Sequence, residues 1–154
     1  MGVKRVRRVG TTGALVAATL GASIVLTPSS ASASGTWDCH GTQVKRCTMI
    51  WWDPDADTFR ARAKITDADG GGNYAVKVNN VRLQRYTSST GWVTVRQADD
   101  NDSWHAISDL ASTSTIDPCA GPPNSFRAVA AFYWKGASSG SETWHPNSAT
   151  SRDC

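Results

Sequence analysis

Hydrophobic and polar residues alternate strictly from residue 58 to residue 66. One face carries the apolar residues Phe59, Ala61, Ala63 and Ile65, and the other carries the basic residues Arg60, Arg62 and Lys64. A period of two over this length predicts an antiparallel β-strand with one buried and one solvated face. The Asp- and Gly-rich segment 67–72 predicts the turn that ends it.

A second alternation begins at Tyr74 and changes phase at Asn79-Asn80 before it continues with Val81 and Leu83. One extra residue in a strand exchanges its two faces, so the phase change predicts a β-bulge or a strand crossover at the Asn pair. Residues 88–91 then predict a hairpin turn that leads into a strand at 92–95.

The other strands are predicted at residues 48–52, near 104–107, at 125–135 and around 143–145. A long loop is expected from the second of these segments, near 104–107, to Pro122-Pro123. No helical periodicity occurs after residues 1–33, the N-terminal leader described below. Short strands separated by turn signals predict an all-β fold, a single antiparallel β-sandwich that is immunoglobulin-like in the broad sense. The long cysteine spacing of antibody domains is missing.

Residues 1–33 have the order of a secretory signal peptide. Basic residues at positions 4–8 precede an apolar run from about Gly13 to Leu26, and the small-residue triplet Ala31-Ser32-Ala33 follows. Cleavage is expected after Ala33, which leaves residues 34–154 as one secreted, extracellular domain. Arg7-Arg8 also fits the twin-arginine route, but the Val-Gly that follows favours general secretion. No later stretch is apolar enough to predict a membrane span.

The charge balance changes once the leader is set aside. Four of the sixteen Lys and Arg residues lie within it, so the remaining chain carries twelve against thirteen Asp and Glu, a formal net charge of −1. Proteins that bind nucleic acid or anionic membranes need a strongly basic face, and this balance argues against both partners.

All four cysteines lie after the leader, and an even number in an exported chain predicts two disulfides. Three pairings are possible, and we favour Cys39–Cys47, which are close in sequence, with Cys119–Cys154 anchoring the C-terminus. A zinc site is the alternative. The chain lacks a C-x-x-C spacing and the compartment is oxidising, so no metal ligand is assigned.

Tryptophan is unusually frequent, and all seven Trp residues lie after the leader. They either fill the core and its edges or stay exposed as anchors for a protein or a sugar. Trp51 and Trp52 are neighbours on a strand and must point to opposite faces. The binding residues predicted from this pattern are Trp37, Trp52, Trp92, Trp104 and Trp144.

Candidate chemistry beyond binding is sparse. The acidic segments 53–57, 67–69 and 99–102 could hold calcium or form ordinary turns. The histidines are His40, His105 and His145, and no sequence motif of a hydrolase, a metalloprotease or a phosphate-binding loop accompanies them. We therefore predict no catalytic residue, no cofactor and no enzymatic activity.

The solvated strand positions are rich in basic residues, which commonly serve solubility. If the strands that carry them are neighbours, they would form a cationic sheet face able to meet an acidic partner. The residues concerned are Arg60, Arg62, Lys64, Lys77, Arg82, Arg85 and Arg96.

Several short features lie along the chain in a fixed order: the Cys39–Cys47 turn, Ile65-Thr-Asp67, Asn73-Tyr74, Asn80-Val-Arg-Leu-Gln84, Gly91-Trp92, Trp104-His105, Phe126-Arg-Ala128 and the terminal Cys154. In these features the chain resembles the small secreted β-sandwich proteins of actinomycetes. The resemblance covers nearly all of residues 34–154. Within that group, the small adaptor subunit of umbrella toxin particles is similar in size, export and lack of an active-site motif. This resemblance implies no residue assignments.

These observations predict a non-enzymatic binding protein, a protein–protein adaptor in an extracellular assembly such as a toxin particle. Its anchors would be exposed Trp residues or an edge strand, with Ser34 to Asp38 as an extended arm carrying Trp37. One alternative is a carbohydrate-binding module with coplanar exposed Trp rings. The other is a secreted enzyme inhibitor that presents the 109–124 segment as an exposed loop.

Overall fold

The computed structural model describes residues 35–121, 125–152 and 154. They form nine β-strands in two antiparallel sheets, so the predicted all-β sandwich is confirmed. No described segment forms a helix of the length and apolar character needed to cross a bilayer. The predicted signal peptide lies outside the described residues.

The first sheet has the strand order β1-β2-β3-β6. Its strands are β1 (Asp38–His40), β2 (Val44–Asp53), β3 (Thr58–Asp67) and β6 (Ser108–Ser112). β2 and β3 form a hairpin in continuous register from Val44↔Asp67 to Asp53↔Thr58. This register places the basic side of β3 opposite Trp51, Met49 and Cys47 of β2.

The second sheet has the strand order β5-β4-β7-β8, and β9 pairs with the beginning of β7. Its strands are β4 (Tyr74–Thr87), β5 (Gly91–Asp99), β7 (Ser125–Gly136), β8 (Gly140–Trp144) and β9 (Thr150–Ser151). β4 and β7 are the two long central strands. They pair from Tyr74↔Gly136 to Arg85↔Phe126.

The core lies between the two sheets and is built from the predicted alternating positions. Phe59, Ala61, Ala63 and Ile65 of β3 are at most 2% exposed. They face the apolar residues of β4 and β7, among which Phe126 and Phe132 are fully buried. Phe59 and Phe126 meet edge to face at 5.3 Å between ring centroids, which joins the first sheet to the second.

The phase change at the Asn pair is a β-bulge within one continuous strand. The β4–β7 register shifts between Val78 and Asn80, so Val78 and Val81 both point into the core and both are fully buried. The backbone carbonyl of Asn79 accepts a hydrogen bond from the Asp100 amide at 2.9 Å. The bulge therefore keeps the apolar residues on both sides of it on the buried face.

Both predicted disulfides are present. Cys39 and Cys47 are direct partners across β1 and β2, and Cys119–Cys154 ties the C-terminus to the segment before β7. Two disulfides with no free cysteine among the described residues indicate an oxidising environment outside the cytoplasm.

Two predictions for residues 98–124 are wrong. The expected strand near 104–107 is only a single bridge between His105 and Val76, and the strand of this region is β6, which begins at Ser108. The 109–124 segment is no exposed loop in its described part. Asp109, Ala111 and Thr113 alternate into the interior because β6 pairs with β3, and Ile116 bridges Phe59. Residues 122–124 lie outside the described residues.

The predicted N-terminal arm is attached to the first sheet in its described part. Asp38 begins β1, and Gly35 lies so close to Met49 and to the Ile50 backbone that a Cβ atom would not fit there. Strands β1 and β9 were not predicted, because each has only two or three residues and no alternation of its own.

Candidate functional site

All seven tryptophans contact a cationic side chain or an imidazole ring. Six have a guanidinium or ammonium group over the indole, and Trp144 packs against His40 with 4.4 Å between ring centroids. The six cation–indole pairs are Arg46–Trp134, Arg60–Trp51, Arg62–Trp37, Arg127–Trp92, Lys135–Trp104 and Arg152–Trp52. A cation over an indole is attracted to the negative face of the ring, and the contact occupies that face.

The outer face of the first sheet carries Trp37, Trp51, Arg60, Arg62 and Lys64, and we call it face A. The cross-strand register places Trp51 opposite Arg60, whose guanidinium carbon lies 4.2 Å from the indole centroid. Arg62 lies over Trp37 at 5.8 Å. None of its three basic residues forms an ion pair within the described residues, so face A is cationic and aromatic.

The outer face of the second sheet carries a comparable group, Arg82, Gln84, Trp92, Arg127 and His145, which we call face B. Arg127 Nε donates to Gln84 Oε1 at 2.9 Å, and its Cζ lies 4.3 Å from the centroid of Trp92. Arg127 Nη1 lies 3.2 Å from His145 Nε2. Three side chains from three strands or connections thus fix the orientation of one guanidinium.

The hydrogen bonds of His145 define its tautomer. Its Nδ1 lies 2.9 Å from the backbone carbonyl oxygen of Pro146. A carbonyl oxygen only accepts, so Nδ1 carries the proton and Nε2 is left to accept from Arg127. Both side-chain acceptors of Arg127 are therefore neutral groups.

The electrostatics of face B follow from this arrangement. Partial burial lowers the pKa of Arg127, and the positive charge of Arg82 lowers it further. The guanidinium remains charged, because arginine does not lose its proton in proteins. Face B thus holds two close positive charges, and within the described residues neither forms an ion pair with a carboxylate.

Polar groups also close one edge of the space between the sheets. Glu142 of β8 contacts His40 Nε2 at 2.9 Å and Arg46 Nη1 at 3.3 Å, so its carboxylate joins the second sheet to β1 and β2 of the first. Trp144 and Trp134 pack against the same two partners. These contacts join the two sheets, and we call the group of side chains the clasp: His40, Arg46, Trp134, Glu142 and Trp144.

A cavity of about 540 Å³ is lined by residues of both sheets. Its floor includes Ile50, Phe59 and Phe126, and Trp52 and Arg152 lie at its side. Arg152 is paired with Asp57 at 2.9 Å. Neither His105 nor His145 is among the residues that line this cavity, and Asp38 is the one carboxylate that the described residues bring to it.

Two separate clusters of polar side chains lie in and beside the acidic turns. The first is formed by Asp102, His105 and Asp109, and the second is centred on Asp67. Asp102, His105 and Asp109 offer three ligand atoms within 4.8 Å of one another. His105 Nε2 lies 2.9 Å from Asp102, while the oxygens of Asp109 accept from the amides of Val78 and Leu110. These three residues are where the described chain could hold a cation.

The other acidic turn is organised by backbone donors. Both carboxylate oxygens of the buried Asp67 accept backbone N–H bonds, from Asp69 to one oxygen and from Gly72, Asn73 and Tyr74 to the other. Asp69 accepts from the Asn73 side chain at 2.7 Å. The Asp67 carboxylate therefore holds the loop of residues 67–74 in place, and both of its oxygens are occupied by backbone donors.

The predicted binding tryptophans do not share one surface. Trp37 lies on face A and Trp92 on face B, while Trp52 and Trp144 pack partly against the core. Trp104 is 40% exposed and sits under Lys135, eight residues along β7 from Arg127, a separation of roughly 26 Å. A single row of coplanar rings, as the carbohydrate-binding alternative requires, is not formed by these five residues.

Sequence reasoning missed three residues that complete face B and the clasp: Arg127, Gln84 and Glu142. Arg127 and Gln84 stand at outward positions of predicted strands, and their pairing across β4 and β7 depends on a register that the sequence does not specify. His145 was considered only as a catalytic candidate. Comparison with protein-family models, with curated proteins and with solved structures finds no match to this chain.

Proposed function

We propose that this chain is a secreted, non-enzymatic adaptor that holds two different extracellular proteins, one on face A and one on face B. The single observation that carries the proposal is the presence of two Trp–Arg surfaces on opposite sides of one sandwich. An adaptor needs two separate binding surfaces on a scaffold that keeps their relative position fixed. A disulfide-linked sandwich with a close-packed core provides such a scaffold.

The composition of the two faces supports a protein partner. Trp, Tyr and Arg are the residues most enriched at the energetic hot spots of protein interfaces. The aromatic residues bury much area with few rotatable bonds, and the guanidinium offers five donors in a planar fork. On both faces the arginines have no acidic partner among the described residues, so an incoming carboxylate would not have to displace one. The resemblance to adaptor subunits of secreted toxin particles leads us to the same class of function.

A carbohydrate-binding role is the second candidate, because Trp37 and Trp51 lie on the same face. Each of these rings already has a guanidinium over one of its surfaces. A sugar that stacks on the indole would have only the opposite ring surface available or would have to displace the arginine. This makes face A a poorer platform for sugar stacking than for a protein contact.

The test is a capture experiment with a variant for each face. Residues 34–154 are immobilised, exposed to culture supernatant of the source organism, cross-linked and analysed by mass spectrometry. The variants are R60E/R62E for face A and R82E/R127E for face B, and each serves as the matched control for the other. We expect two polypeptides, each reduced at least tenfold by one variant and retained by the other.

Other results would contradict the proposal. A single captured polypeptide, or two that respond equally to both variants, would argue against an adaptor with two faces. Retention of the wild-type chain on chitin, cellulose or cell-wall glycan, lost in W37A and W51A, would establish the carbohydrate-binding alternative. Stoichiometric inhibition of an extracellular protease would establish the inhibitor. Thermal unfolding of each variant verifies that the fold is retained.

A further inference from the structure

We propose that Arg82 and Arg127 of face B form a receptor for one carboxylate side chain, Asp or Glu, of an acidic segment in the partner protein. This inference rests on the proposed function and specifies the chemistry of one of its two faces. It follows from how the two guanidinium groups are held and from what they lack.

The positive charge of Arg127 is not compensated by its hydrogen-bond partners. Arg127 donates to the side-chain carbonyl of Gln84 and to the imidazole of His145, and neither acceptor carries a negative charge. A structural arginine on a protein surface commonly has a carboxylate beside it. Here the hydrogen bonds fix the position of the guanidinium and leave its positive charge available.

Both arginines of face B have N–H donors that are not used within the described residues. A guanidinium has five N–H groups, and the two contacts described use one on Nε and one on Nη1. The remaining N–H groups of Arg127 have no protein acceptor among the described residues. Arg82 Nε is buried without a hydrogen-bond partner, so the donors that Arg82 can offer to a ligand are those of its two terminal nitrogens. The two side chains therefore have donors left for the fork geometry that binds a carboxylate.

The two arginines lie close together on the outer face of the second sheet. Gln84 is the direct cross-strand partner of Arg127, and Arg82 lies two residues away on the same side of β4. Such diagonal neighbours are about 7–8 Å apart, within reach of two long side chains. The charge of Arg82 accordingly lowers the pKa of Arg127. A carboxylate placed between them would relieve this repulsion.

The Arg127 side chain is held in one orientation before a ligand binds. Trp92 supports the guanidinium plane of Arg127 at 4.3 Å and is itself packed edge to face on Tyr86 at 5.4 Å. An arginine whose rotamer is already fixed loses little conformational freedom on binding, so less of the interaction energy is spent on ordering it. The site thus has the geometry of a receptor before any ligand is present.

The surroundings of the two arginines favour an acidic protein segment over a polyanionic glycan or nucleic acid. Tyr86, which lies on the same side of β4 as Arg82 and Gln84, is 45% exposed and suits an apolar side chain that flanks a carboxylate in a polypeptide. The predicted mature chain has a net charge of −1, so a densely charged polymer gains no long-range attraction. A single carboxylate depends only on the local charge of Arg82 and Arg127 and does not need long-range attraction.

The experiment is a titration followed by NMR of the Arg Nε–H and Trp indole N–H groups. The probe is a capped four-residue peptide with one glutamate between apolar residues, and its control is the same peptide with glutamine. We expect the glutamate peptide to shift the signals of Arg127 and Trp92. The glutamine peptide should bind at least tenfold more weakly, which corresponds to the loss of a charge-assisted pair.

Variants identify the residues responsible. R127Q and R82Q should each reduce the affinity for the glutamate peptide about tenfold, and R127K, which keeps the charge but not the fork, should give an intermediate loss. R62Q on face A is the matched control and should change the affinity for the glutamate peptide less than twofold. Equal binding of the two peptides, or full affinity in R127Q, would overturn the proposal. Equal or stronger binding of inorganic phosphate or a sulfated disaccharide would overturn the carboxylate assignment.

The same variants separate this inference from the adaptor proposal. If two polypeptides are captured from the supernatant and R82Q/R127Q still captures both, the adaptor stands and the carboxylate receptor is wrong. If no second polypeptide is captured but the peptide binds in a charge-dependent way, the receptor stands and the adaptor is wrong.

Discussion

His40 and Glu142 are 102 residues apart in the sequence, and they meet at 2.9 Å between Nε2 and Oε2. His40 ends the outermost strand of the first sheet, and Glu142 lies in an outer strand of the second. The same carboxylate contacts Arg46, and Trp144 packs on the imidazole. One acidic side chain therefore links the two layers of the sandwich at their open edge.

We expect E142Q to reduce the free energy of unfolding by about 1 kcal/mol. The expected loss is small because the side chains of His40 and Glu142 are about one-third exposed, and solvent screens the attraction between such exposed pairs. Urea unfolding at neutral pH measures it. D55N changes an exposed carboxylate with no side-chain partner among the described residues, and we expect it to stay within about 0.5 kcal/mol of the wild type. Equal effects of the two variants would show that the clasp contributes nothing.

Asp67 should make the protein sensitive to acid. Burial of its carboxyl raises the pKa, but four backbone N–H donors outweigh burial and hold the pKa below its ordinary value. A lowered pKa in the folded state gives stability that is present above the unfolded-state pKa of about 3.9 and lost as the pH falls through the folded-state pKa.

The variant D67N should therefore be less stable than the wild type at pH 7, and the difference should shrink below about pH 4 as the wild-type carboxylate takes up its proton. Urea unfolding midpoints from pH 7 to pH 2.5 measure this convergence. D69N in the same loop is the control, because asparagine can still accept the hydrogen bond from Asn73. A D67N deficit that does not change with pH would contradict the prediction.

His105 should titrate above the ordinary histidine value of about 6.5. Its hydrogen bond with Asp102 raises the pKa, burial lowers it to a lesser extent, and the charges of Asp109, Asp102 and Asp100 raise it further. The raised pKa contributes stability that is fully present below about pH 6.5 and is lost as the pH rises through the folded-state value.

An NMR pH titration of the His105 ring gives the midpoint directly. D102N removes the largest cause of the shift and should move the midpoint down, while D99N, whose charge is not among the causes, should leave it in place. A His105 midpoint that is the same in D102N and in the wild type would show that Asp102 does not hold the proton on the ring.

The two disulfides should differ in their contribution to stability. Cys119 and Cys154 are 35 residues apart and Cys39 and Cys47 are 8 apart. In the chain-entropy model, the longer loop corresponds to about 3.8 kcal/mol and the shorter to about 2.6 kcal/mol. Paired Cys→Ser variants unfolded in guanidinium chloride compare them. A larger loss from the Cys39–Cys47 pair would show that local packing, and not loop closure, determines the effect.

The strands that the sequence predicted well are those with a long alternating pattern. Residues 58–66 and 125–135 need one buried face, and period two leaves only one way to provide it. The Asn79-Asn80 phase change likewise had a single local explanation once the strand was continuous. β6 was misplaced because its five residues, Ser108–Ser112, hold only two inward side chains, Asp109 and Ala111, and a lone aspartate does not signal a buried position.

The surfaces depended on information that no local pattern contains. The sequence determined by itself that Arg82 and Gln84 point outward on one strand and Arg127 on another, because outward positions alternate with the core. Only the tertiary structure decided that β4 pairs with β7 in the register that places Gln84 beside Arg127, and that His145 reaches the same guanidinium. Side-chain periodicity is a property of one strand, whereas strand order and register are set by the packing of the whole core.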